Sequence, residues 1–178
     1  MTASASPAST VRAGGATATR LRLALPALHT ALLGTFAWAL SMGASAYARL
    51  LIADWQTPGG IVAVVLLFTA GGALAFPLGL YTARLIALGR SGEVAFAAFL
   101  ACLIAATIAF TGGLYALQYR SYYAEWHGPP FSVRWFFQFA FTSAGALYQF
   151  AILGIRFYFP LGFVALFAAA LWFVRQPR

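Results

Sequence analysis

Arg134, Gln138, Thr142, Gln149 and Arg156 are the residues whose spacing first suggests chemistry in this chain. Placed on one helix, they fall together with Gly145 inside an arc of about 80°, and the rest of that surface is Phe, Ala, Leu and Ile. A narrow polar seam on an apolar helix has two uses. Its Gln and Thr side chains can hydrogen-bond neighbouring helices and hold a bundle together. Alternatively, with arginine at each end, the seam can line a site for an anionic headgroup, substrate or solute. It carries arginine and no carboxylate, so its ligand would be an anion or a neutral polar group. Proton or cation transport calls for a buried Asp or Glu, which the run lacks.

The remaining chemistry-bearing residues are sparse. His29 and His127 are the only histidines. A haem held by two histidines needs both at one depth on facing helices, whereas these two are expected at opposite ends of the helical region. Hydrolysis needs a nucleophile, a base and an orienting group that converge. Asp54, Glu125, His127 and Arg120 all fall in or near polar connections, and the stretch AEWHGPP is the one place where such a site could be assembled; its plainer reading is a turn at Gly128, Pro129 and Pro130. Asp54 beside Arg49 reads as a boundary ion pair. Cys102, the single cysteine, permits no internal disulfide and no metal site of finger type, and reads as a small buried apolar residue. GPPF and LGRSG lack the glycine spacing and lysine of a phosphate loop. No catalytic residue, metal or cofactor is expected.

These residues must be positioned by elements made for lipid. Of 178 residues, 62% are hydrophobic and 8% charged, far from the roughly quarter of charged residues in a soluble domain. The expected fold is all-α, a polytopic transmembrane helical bundle. Spanning the hydrocarbon takes about 20 mostly apolar residues, a condition met by residues 23–48, 60–81 and 94–117. The seam segment 134–156 is expected as a fourth span, its arginines about 33 Å apart, and 157–174 as a fifth, opened by Pro160. Four spans with the seam helix flat on the outer surface is the alternative. Residues 1–22, rich in Ala, Ser and Thr with arginines and no acid, are expected to be a flexible cytoplasmic tail, and 175–178 a short one. An organellar transit peptide, or a signal sequence cleaved near Ala46 to Ala48, are the rival readings of the start.

Small residues recur every fourth position at Gly71, Ala75 and Gly79, at Ala97, Ala101, Ala105, Ala109 and Gly113, and at Ala37, Ser41 and Ser45, ridges expected to pack the helices of one chain together. The net charge of +8 comes entirely from arginine. Arg12, Arg20 and Arg22 before the first span and Arg84 and Arg90 after the second place both groups in the cytoplasm by the positive-inside rule, in a bacterial inner membrane or, alternatively, an organelle membrane. The arginines sit at the ends of apolar runs rather than clustered with polar neighbours, so anionic lipid is the expected partner and nucleic acid is not. Three functions are compatible with this. The first is an accessory or scaffold protein, bound to a larger membrane complex or to its own copies and to anionic lipid. The second is a small permease or channel for an anion or polar metabolite. The third is a lipid- or quinone-linked enzyme subunit.

Overall fold

A computed structural model describes residues 18–176. Those residues form an all-helical bundle with no strand, and the expected fold class holds. Residues 18–23 are helical, so the part of the expected tail that can be described is not an extended coil; residues 1–17 lie outside the described residues. Five long helices follow: α1 (Leu28–Ile52), α2 (Pro58–Ala87), α3 (Gly92–Tyr123), α4 (Val133–Ile152) and α5 (Leu161–Arg175). α1, α2 and α3 are long and apolar enough to cross a membrane, α3 together with the short turn Ala124–Trp126.

Local sequence sets the ends. Pro26 lacks an N–H and biases the residue before it towards extended backbone, and the segment expected at 23–48 is interrupted there and restarts at Leu28. Pro58 occupies the first turn of α2, where its missing donor costs nothing. At the other end of α2, Gly89 adopts a left-handed φ of 69°, and the Arg90 N–H bonds to the Ala87 carbonyl at 3.0 Å. Ser132 caps α4 by accepting from the Trp135 N–H at 3.1 Å.

The helices are arranged as a ring. α2 packs against α1 and α3, and α5 packs against α3 and α1 on the opposite side, while α4 lies outside the ring against α3. α2 and α3 approach closely because the glycines of α2 receive larger side chains of α3. A Cβ at Gly71 would collide with Thr111, and one at Gly79 would press on Leu103. Gly71, Ala75 and Gly79 are all buried. The ridge Ala97, Ala101, Ala105 and Ala109 is instead exposed, a correction to the expectation that it packs the bundle from within. α3 turns Phe99, Leu103, Ala106, Thr107 and Thr111 inward, since a notch of glycines on one helix is filled best by bulk on its neighbour.

Let the proximal end be where α1 starts, and the distal end where α1 connects to α2. α4 starts distally, and its Phe150 reaches the level of Gly112. The chain then turns through the 3-10 segment Gly154–Tyr158 and a cis Phe159-Pro160 bond. α5 begins beside Met42 and Ser45 and ends proximally, where the Phe173 and Phe99 rings stack at 4.6 Å. At 1.5 Å per residue α4 and α5 are about 30 and 22 Å long, together about the 48 Å of α3. The two run in series, from the distal end to the proximal one, with an elbow halfway.

Candidate functional site

The elbow decides where the seam residues go. α4 stops at Ile152, so Arg156 lies in the 3-10 segment and not on the helix that carries Arg134, Gln138, Thr142 and Gln149. The single arc expected for all five is broken. Gly154 is buried against the Phe150 ring, which a Cβ there would strike. Phe157 and Tyr158 gather around Phe68 of α2, with ring centroids 5.5 and 5.1 Å away. These contacts draw the chain inward before a further helical turn can form.

Interrupting a helix within the bundle frees backbone groups that need partners. Ser45, fully buried on α1, supplies two at once. Its hydroxyl donates to the Phe157 carbonyl at 2.9 Å and accepts from the Gly162 N–H at 3.0 Å. A second tie joins α1 to α3: the Trp38 indole N–H donates to Thr107 Oγ1 at 3.1 Å, and the Thr107 hydroxyl donates to the Leu103 carbonyl of its own helix at 2.7 Å.

The upper seam is occupied by the chain itself. Gln138 Oε1 accepts from the Gly128 N–H at 2.8 Å, folding the α3–α4 connection onto α4. Thr142 Oγ1 donates to the Gln138 carbonyl and lies 3.3 Å from His127 Nε2. Arg134 is exposed beside Gly128. Around Gln138 and Thr142 an open cleft of about 420 Å³ is walled by Tyr119, Tyr123, Trp126 and Phe141. The loop therefore meets the seam through His127, which the spacing of residues did not reveal. Arg120 is half-buried and holds its guanidinium carbon 4.4 Å from the Phe139 ring centroid and 5.8 Å from that of Trp135.

The lower seam opens differently. Gln149 Oε1 accepts from the Tyr115 hydroxyl at 3.0 Å, and both line a cavity of about 330 Å³ with Arg49, Trp55 and Arg156. Arg156 also lines a second cavity of about 350 Å³, apolar in its walls, between α1, α3 and α5. Asp54 takes its hydrogen bond from Gln56 Nε2 at 2.6 Å and makes no ion pair with Arg49, so the boundary pair expected from their proximity in sequence is absent. A residue at left-handed φ, Asp54 turns with the chain and its carboxylate goes with the loop.

The other expected chemistry stays dispersed. His29 lies at the start of α1, within 3.2 Å of Thr30 Oγ1, and His127 is in the distal loop. Glu125 is exposed, and among the described residues no three of His, Cys, Asp and Glu come together. Cys102 is half-buried as a free thiol and packs on the central core. Comparison with protein-family models, with curated proteins and with solved structures finds no match.

Proposed function

We propose that this chain is an integral membrane scaffold, cytoplasmic at its N-terminus in a bacterial inner membrane, that docks another membrane helix on α3 and binds anionic lipid. The observation that carries the reading is the exposed ridge Ala97, Ala101, Ala105 and Ala109, continued by Gly113. It is a surface on which a second backbone can approach closely without any side chain being moved. The orientation is supported by charge: Arg20, Arg22, Arg84, Arg90 and Arg175 stand with a single acid, Glu93, towards the proximal end, whereas at the distal end Arg49, Arg120 and Arg134 stand with two acids, Asp54 and Glu125. The permease reading has less support, because Gln138, Thr142 and Gln149 are engaged by Gly128, His127 and Tyr115.

The test is co-purification from native membranes in a mild detergent, with and without an Ala101→Leu/Ala105→Leu change. A stable partner, either a different membrane protein or a second copy, is expected with the wild type and lost in the variant, whose own melting temperature stays unchanged. Recovery of both forms as lone monomers overturns the proposal.

A further inference from the structure

We propose that the distal cavity lined by Arg49, Gln149 and Arg156 binds a phosphate-bearing lipid, with the phosphate between the two guanidinium groups and one chain laid in the apolar cavity beyond Arg156. This rests on the membrane reading above, and it specifies a ligand class and a place for it.

The two arginines come from the end of α1 and from the elbow, 107 positions apart in the chain, and converge on one cavity of about 330 Å³. Neither is within ion-pairing distance of a carboxylate among the described residues, and Asp54, the nearest acid in sequence to Arg49, is bonded to Gln56. Like charges gathered on one cavity of a membrane bundle favour an anion between them, and the planar guanidinium fork matches phosphate oxygens two at a time.

The other polar groups agree. Gln149 has its carbonyl oxygen taken by Tyr115, which leaves its amide N–H groups to donate, and the Trp55 indole N–H has no protein acceptor. The N–H groups of Arg49, Arg156, Gln149 and Trp55 thus outnumber the acceptor positions left on Gln149 Oε1 and the Tyr115 hydroxyl, and the complementary ligand is rich in acceptors. The walls between these groups are apolar, among them Leu50, Val64 and Phe68, which suits a molecule larger than a bare anion. Arg156 borders both this cavity and the apolar one of about 350 Å³ lined by Trp38, Met42, Ile108 and Ile155. A ligand with its charge at Arg156 therefore has room for a hydrocarbon chain on the far side.

The experiment uses the full chain in neutral detergent, read by native mass spectrometry and by melting temperature. The probes are dioleoyl phosphatidylglycerol, dioleoylglycerol with the same chains and no phosphate, and inorganic phosphate. Phosphatidylglycerol is expected to remain bound and raise the melting temperature, at a concentration at least tenfold lower than dioleoylglycerol needs. Arg49→Gln/Arg156→Gln should abolish that difference, Arg49→Lys/Arg156→Lys should retain part of it, and Arg84→Gln/Arg90→Gln at the other end should leave it intact. Ile155→Trp, which narrows the apolar cavity, should weaken lipid binding several-fold. Equal response to the two lipids overturns the proposal, as does an Arg49/Arg156 variant that binds like the Arg84/Arg90 variant. Stabilisation by inorganic phosphate at the concentration at which the lipid acts overturns it too, by assigning the site to soluble anions. The wild-type lipid series decides the matter even where a variant does not fold. A chain that stays soluble without detergent would instead remove the membrane reading itself.

Discussion

Ser45 is the residue on which the interrupted part of the bundle depends. Its hydroxyl serves the Phe157 carbonyl and the Gly162 N–H, two groups that the missing helical turn leaves without partners. Leaving a buried polar group unsatisfied costs about 1–3 kcal/mol, so Ser45→Ala is expected to destabilise the protein by at least that amount in a detergent melting or urea-unfolding measurement. Ser41 provides the control. Its hydroxyl donates to Ala37 of its own helix at 2.8 Å, and Ser41→Ala should change stability by less than about 0.5 kcal/mol. In the sequence both serines belong to the same four-residue ridge. Nothing in that spacing distinguishes them, because the partner groups of Ser45 are more than a hundred residues away.

Among the elements, α2 and α3 form the closest pairing, and its geometry comes from the unequal sizes of facing residues. Gly71 lies against both the side chain and the backbone of Thr111. Gly71→Val is therefore expected to push the helices apart and to cost about 1–3 kcal/mol or more, measured as a lower melting temperature together with increased labelling of Cys102 by a thiol reagent. The recurrence of small residues announced close helix packing, and at α2 the ridge and the buried face coincide. At α3 they do not, since the buried face is decided by which side chains fill the notches of α2. The end of α4 was equally hidden: Pro160 marks a break in the sequence, but the helix ends eight residues earlier because Phe157 and Tyr158 pack on Phe68.

For the molecule as a whole, α4 and α5 in series return the chain to the proximal end, so Arg175 joins Arg84 and Arg90 there. One more arginine on the side already rich in them agrees with the positive-inside rule. Single cysteines placed at Gln176, Arg90 and Glu125 in a Cys102→Ala background are expected to divide two to one. Residues 176 and 90 should be labelled by a membrane-impermeant maleimide only after the cells are opened, and residue 125 in intact cells. Labelling of 176 in intact cells would mean that α4 and α5 each complete a crossing of their own.

The sequence by itself determined the solvent and the class of fold. Apolar runs of more than twenty residues with arginine at their ends leave helices in lipid as the arrangement that satisfies the backbone. It also determined three of the spans, because length and hydropathy are local properties. The placing of Arg49 and Arg156 on one cavity, the division of the seam at Gln149 and the outward turn of the alanine ridge were decided by tertiary structure. Each depends on which residues meet across distances of about twenty to more than a hundred positions, and a helical period read along one segment carries no information about its neighbour.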